Sequence, residues 1–256
     1  MAIMKIAVCI KQVPTREWQP RLTDDKRAIR EQDASWELNE PDAYALEEGL
    51  RLREKHGGEV VVCAAGPARV TTVIREALAR GADRAIHVHD DALGRADGIA
   101  TADALADAMR EEAFDLILTG LQSDDQGHAQ TGVVLASRLG RPHATIIMEV
   151  QVTDGRLRVK RELEGGWFQW VAMPLPALLT IQSGINQLRY ATLKGIMASK
   201  KKEIRAVAPA VPVALRLEVL SLHVPEKSKQ TEMLAGSPAE AAATLVRKLR
   251  DRRVIA

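Results

Sequence analysis

Through its first 150 residues the chain alternates short aliphatic runs with stretches whose apolar positions recur every three or four residues. Residues 5–10, 59–64, 84–89, 115–119 and 144–150 are rich in Val, Ile, Leu and Ala and predict strands. Segments 41–56, 68–80, 97–112 and 131–139 carry helical periodicity, and glycines after three of them mark where the helices stop. Strands that are apolar on both faces and separated by helices predict βαβ units. The expected fold is therefore α/β, a doubly wound, mostly parallel, Rossmann-like sheet covered on both sides.

After residue 150 the pattern changes. Asp154-Gly155 lies between VQVT and RLRVKREL, and both residues accept the positive φ of a tight hairpin turn. A second turn at Glu164-Gly165-Gly166 leads into WFQWVAM, and Pro174 and Pro176 precede the run ALLTIQS. These features predict an antiparallel appendix over 150–185, paired locally. Prolines at 209, 212 and 225 make 205–235 read as an extended arm. Ser237-Pro238 then opens a helix over 238–250, Ser as N-cap and Pro in the first turn. The expected division is an α/β domain over 1–203 and an arm with a terminal helix over 204–256. A structureless stretch of this length more often lies across a partner than within a compact domain.

Composition narrows the function classes. With 36 Lys plus Arg against 34 Asp plus Glu, the charge is too balanced for nucleic acid as main partner. Aromatic residues are only 3% of the chain, too few for a base-stacking platform, and three of the rings (Trp167, Phe168, Trp170) fall together. That cluster is expected to pack on the sheet or on another subunit. Cys9 and Cys63 sit in strand-like runs and do not form a disulfide framework. The N-terminus shows no secretory leader, and no apolar run approaches the ~20 residues of a membrane span. The expectation is a cytoplasmic chain that does not insert in a membrane.

Motifs for nucleophilic or metal chemistry are absent: no GxSxG, HExxH, GxxxxGK[ST] or GxGxxG stands in the sequence. His87 and His89 alternate on one strand face, but no third ligand is near in sequence, so no metal site is expected. No catalytic residue is assigned. The informative features are loops expected at the carboxyl ends of parallel strands, where open α/β sheets bind ligands. One carries Lys11, and one is Ala64-Ala65-Gly66-Pro67, small enough for close backbone approach to a ligand. The third is GLQSDDQGHAQTG over 120–132, whose Gln130-Thr131-Gly132 places free N–H groups and a hydroxyl at a helix start. Asp124 and Asp125 can accept hydrogen bonds from ribose. By residue chemistry alone this third loop is either a phosphate site or a capped surface turn.

The segment 156–203 carries a more specific pattern: a basic residue followed by Glu164-Gly165-Gly166, Pro176-Ala-Leu-Leu-Thr, and Arg189-Tyr-Ala-Thr-Leu-x-x-Ile-Met-x-x-Lys-Lys-Lys. It resembles the signature of the β subunit of electron transfer flavoprotein, a family that includes the FixA proteins. The resemblance extends to KIAVCIKQVP, LNEPDAYALEEGLRLREK, the AAGPA turn, EALARGADRAIHV and the closing GSPAEAA. It implies an electron carrier rather than an enzyme, the β half of an αβ heterodimer, with FAD held mainly by the α subunit. It also implies a nucleotide in this chain, AMP or, in the electron-bifurcating branch with NADH as donor, a second FAD. The motif Asp125-Gln126-Gly127-His128-Ala129-Gln130-Thr131-Gly132 mixes features of both branches; AMP is the expectation. By motif match the nucleotide contacts Cys9, Asn39, Glu40, Pro41, Asp42, Ala65 and Gly66. The same match includes the loop Ser123, Asp124, Asp125, Gln126, Gly127, His128, Ala129, Gln130, Thr131, Gly132, Val133 and Val134.

A partner-docking loop maps to 190–200, with Leu193 as exposed anchor beside Tyr190, Ile196 and Met197. The implied donors are flavin dehydrogenases such as those of fatty acid oxidation, and the implied acceptor is the electron transfer flavoprotein–quinone oxidoreductase. The arm and terminal helix are expected on the α subunit. A stand-alone nucleotide enzyme of the ATP pyrophosphatase type would carry Ser-Gly-Gly after the first strand. Lys11-Gln12-Val13-Pro14 stands there instead.

Overall fold

The computed structural model of the protein describes residues 3–153, 155–225 and 231–255. In chain order its elements are β1 (Met4–Cys9), β2 (Gln12–Pro14), β3 (Trp36–Leu38), α1 (Glu40–His56), β4 (Gly58–Gly66), α2 (Thr71–Arg80), β5 (Arg84–His89) and α3 (Gly98–Met109). There follow β6 (Leu116–Gly120), α4 (Thr131–Arg138), β7 (His143–Thr153), β8 (Arg156–Glu162), β9 (Phe168–Pro174), β10 (Ala177–Ile181), α5 (Leu193–Ser199), β11 (Ile204–Val207) and α6 (Pro238–Asp251). Among the described residues, nine strands form one sheet in the order β11-β5-β4-β1-β6-β10-β7-β8-β9, and β2 and β3 pair as a small antiparallel ribbon. The strands from β11 to β7 are parallel to their neighbours, and β8 and β9 run antiparallel.

The continuous apolar runs follow from a sheet buried on both faces. Along β1, Ile6 and Val8 enter one core with Leu46 and Leu50 of α1 and Ile74 and Leu78 of α2. Ala7 and Cys9 enter the other with Leu105 of α3 and Leu135 of α4. Alanines dominate the helix side of the second core, so helices approach the sheet closely, with Phe114 as its aromatic ring. This is the doubly wound α/β architecture that the periodicity predicts.

Two segments differ from the sequence reading. ALLTI was assigned to the locally paired appendix, yet β10 lies in the parallel sheet between β6 and β7. All five of its residues are buried, Leu178 in one core and Leu179 and Ile181 in the other. A strand apolar on both faces needs a covered position, which outweighs the tendency of consecutive strands to pair. Ile204–Val207, assigned to the start of the arm, is instead the edge strand β11 beside β5. Both β7–β8 and β8–β9 pair antiparallel as expected; Asp154 of the first turn lies outside the described residues, and Gly155 has a φ of 72°.

The described residues fall in two compact units, one ending at Ser221 and one beginning at Leu222. Within the first, residues 208–221 lack regular structure, and Arg216 donates its backbone N–H to Asp97 (2.9 Å), which also caps α3. Residues 226–230 of the expected arm lie outside the described residues. In the second unit, Ser237 caps α6 through a reciprocal capping box with Glu240, as the Ser-Pro pair predicts. No helix among the described residues is long and apolar enough to cross a membrane.

Candidate functional site

Strand order reverses between β1 and β6: β4 and β5 extend to one side of β1, β10 and β7 to the far side of β6. Loops leaving the carboxyl ends of these two strands therefore diverge and open a crevice, the usual ligand site of such sheets. Asp42, buried in the first turn of α1, spans that point. One carboxylate oxygen accepts from Lys11 N–H (2.8 Å) and the other from Gly120 N–H (2.9 Å), so one side chain ties the ends of β1 and β6. Glycine at 120 is required by this closeness, because a Cβ there would lie 2.4 Å from the Asp42 carboxylate. Burial pushes the Asp42 carboxyl up to about 7 against the opposing pull of its backbone donors.

Asn39 extends the staple. Its side-chain amide donates to Gln122 O (3.0 Å), and its oxygen accepts from Asp124 N–H (2.9 Å). Lys11 reaches the same loop, donating to Asp125 (2.8 Å), Gln126 (3.1 Å) and Ser123 (3.3 Å). Burial acts to raise the Asp125 carboxyl, but the Lys11 ammonium wins and holds it below its ordinary value. Arg16 bridges Glu40 and Asp124 on the solvent side. Pro41 is buried beneath this staple.

The loop then enters α4 in a conformation suited to an anion. Gly127 (φ 64°) and Ala129 (φ 53°) are left-handed, and Gln130 follows at φ −105°, ψ −36°. A left-handed residue before a right-handed one turns successive N–H groups to the same side, a nest for negative charge. No side chain caps this helix. Gly132 lets α4 rest on the sheet: a Cβ there would lie 2.7 Å from Thr119 Oγ1 and 2.8 Å from Thr180 Cγ2. Gln126, His128 and Gln130 are exposed, Thr131, Val133 and Val134 half-buried, and Val134 packs against the second core.

Ala65 and Gly66 end the neighbouring strand β4. Gly66 O accepts from the buried His87 ring (3.0 Å) and from Asp90 N–H (3.4 Å). Arg69, beyond that turn, donates to Gln12 (2.7 Å) and stacks on Trp36 at 3.6 Å, which fixes the β2–β3 ribbon beside the crevice. Cys9 closes β1 from within the second core, and burial pushes its thiol well above the ordinary value, so it remains a neutral apolar group. Among the described residues no three His, Cys, Asp or Glu side chains gather to hold a metal.

The structure thus joins Asn39, Asp42 and Ser123–Gln126 at the switch point, with Cys9 at the adjoining strand end. Arg16, Gln12 and Arg69 belong to the same frame and were not singled out by sequence reasoning. Their only signal was polarity immediately after a buried strand. Asn39 and Asp42 are almost fully buried with both polar ends engaged by backbone, so in this chain they shape the loop. The exposed residues of 124–130 are the ones they position at the crevice.

The segment expected to dock a partner lies elsewhere. Residues 190–192 lead into the short helix α5, and Tyr190 (88%), Leu193 (83%) and Met197 (64%) are largely exposed, with Ile196 less so. Trp167 is also exposed (75%), while Phe168 and Trp170 lie under Lys160 and Arg158 at 4.1 and 4.3 Å. Phe168 and Trp170 thus pack on side chains of the neighbouring strand β8, on the edge strand β9, while Trp167 stands open.

Comparison with known proteins gives one family. The electron transfer flavoprotein domain matches residues 27–212. The chain is 38% identical to the electron transfer flavoprotein subunit beta of Methylophilus methylotrophus, covering 97% of this chain and 98% of the relative. It is 34% identical to the protein of the same name from Thermoanaerobacterium thermosaccharolyticum, over 98% of this chain and 100% of the relative. The Bacillus subtilis protein of that name is 32% identical over 97% and 98%.

Proposed function

The chain belongs to the electron transfer flavoprotein β-subunit family, and from that premise we propose that it is the β half of an αβ electron carrier. In this reading FAD, held mainly by the α subunit, carries the electrons, and the chain supplies positioning, docking and a structural nucleotide site. In the cytoplasm the carrier takes electrons from flavin dehydrogenases, such as acyl-CoA dehydrogenases, and passes them to a quinone oxidoreductase at the membrane. The arm, α6 and the Trp167–Trp170 edge face the α subunit, which gives their exposed apolar groups a partner.

For the nucleotide we propose AMP. The uncapped start of α4, the left-handed Ala129 and the Thr131 hydroxyl make a donor set suited to a phosphate. Asp124 and Asp125 offer acceptors for ribose hydroxyls. Cys9 and Ala65 line strand ends beside this crevice and suit the flat, apolar part of the ligand. These groups fit one nucleotide phosphate without any aromatic stacking.

The observation that carries the electron-transfer reading is the exposed apolar tip at 190–197 on a chain of this family. Leu193→Ala in the co-expressed αβ protein should raise the KM for electron acceptance from a dehydrogenase about tenfold, as loss of a central anchor does at many interfaces. Bound flavin should not change. Flavin lost in step with Leu193 would show the segment to be part of the cofactor site and would remove the docking role.

A further inference from the structure

Resting on the docking reading just given, we propose that Arg75 and Lys202 are positioning residues for partner recognition, a reciprocal clamp that holds α5 on α2 with Leu193 already presented. A seven-residue helix has little stability of its own. Of the residues of α5 only Ser199 is buried, so apolar packing does little to hold it. A cleft of about 510 Å3 lies between α2 and α5, walled by Ala79, Ala191 and Ile196.

Polar capping takes the place of packing. The Arg75 guanidinium donates to Ser199 O (2.5 Å) and Lys202 O (2.7 Å), closing the carboxyl end of α5. The Lys202 ammonium donates in return to Leu78 O (3.0 Å) and Ala82 O (2.6 Å), closing the carboxyl end of α2. Arg75 of α2 thus caps the end of α5, and Lys202, in the turn just after α5, caps the end of α2, where a positive charge best opposes the helix dipole. Backbone meets backbone between them: a Cβ at Gly195 would lie 2.3 Å from Ala79 O. Thr192 caps the start of α5 by accepting from Gly195 N–H (3.0 Å). Upstream, Arg189 is fastened to Glu47 (2.7 Å) and Glu54 (2.5 Å) of α1, so the exposed stretch is tied at both ends.

A segment ordered before binding spares the partner the cost of ordering it, and that saving appears in affinity. The clamp residues themselves do not stand at the tip. Their substitution should therefore weaken encounter with the dehydrogenase while leaving the transfer step in the formed complex alone.

The experiment uses the co-expressed αβ protein with bound flavin and a purified acyl-CoA dehydrogenase with its acyl-CoA. Lys202→Met, Arg75→Met and Gly195→Ala should each raise the KM for the flavoprotein about tenfold with kcat within about twofold. Flavin content should hold in all three and the thermal midpoint in Lys202→Met, backbone amides of α5 should lose hydrogen-exchange protection, and Lys202→Arg should restore most of the KM. Should Leu193→Ala raise KM while the clamp variants do not, the clamp role is overturned and the docking reading stands. Should none of them change KM, the docking reading itself fails. Loss of flavin or of thermal stability in the conservative Lys202→Met would make the clamp a structural feature only.

Discussion

Asp42→Ala is expected to be the most damaging single substitution in the chain. It leaves the backbone N–H groups of Lys11 and Gly120 without acceptors at the junction of β1 and β6. Each orphaned buried donor costs about 1–3 kcal/mol, so the loss sums to roughly 2–6 kcal/mol, a large part of an ordinary folding free energy. The same cut frees the ends of two strands and the loop that Asn39 and Lys11 organise, so nucleotide should be lost with the stability.

The deficit should also depend on pH. Burial raises the Asp42 carboxyl from 3.8 to about 7, so the folded chain holds this proton more tightly than the unfolded chain. Its contribution is then fully present below about pH 4 and is lost as pH rises through 7. Urea midpoints of the wild type and of Asp42→Ala should therefore differ most in mild acid and converge towards neutrality. A difference that stays constant or widens with pH would mean that the two N–H donors, and not burial, govern the titration.

Gly132→Ala ranks next. In an open helix this exchange stabilises by up to about 1 kcal/mol. Here the new methyl meets Thr119 at 2.7 Å and Thr180 at 2.8 Å, on strands at the centre of the sheet that cannot yield. Overpacking of this kind costs about 1–3 kcal/mol, and relief is available only by tilting the first turn of α4 outward. That turn carries the N–H groups proposed to hold the phosphate. If about 1.4 kcal/mol of the cost falls on the bound nucleotide, its retention through purification drops about tenfold. Undiminished nucleotide together with a higher thermal midpoint would show that α4 has slack and that Gly132 is an ordinary helix residue.

How much of this was legible in the sequence follows from which interactions are local. The parallel core was readable because β1, β4 and β6 are apolar on both faces and their helices end in glycine. The placement of β10 was not, since ALLTI follows two hairpin turns closely and consecutive strands tend to pair; burial of all five residues decides it, and burial is a tertiary fact. For the loop at 120–132, Gln130-Thr131-Gly132 was legible as a helix start, which the structure has at Thr131, while residue chemistry left open whether it is a phosphate site or a surface turn. The function of Asp42 was not, because its two partners lie 31 and 78 residues away. Arg75 and Lys202 are 127 residues apart and meet only once α5 has docked on α2. For the Trp167–Trp170 cluster, composition did not tell which strand would carry it; the structure puts Phe168 and Trp170 on an edge strand under two cations of β8.

The central claim is that this chain completes a single-flavin carrier whose β-side crevice holds AMP. It is tested most directly by co-expressing it with its α partner, denaturing the purified protein, and counting the released nucleotides by mass spectrometry against protein. One FAD and one AMP per αβ pair is the predicted result. Two FAD and no AMP per pair, or a colourless β chain that forms no complex and hydrolyses ATP, would contradict it.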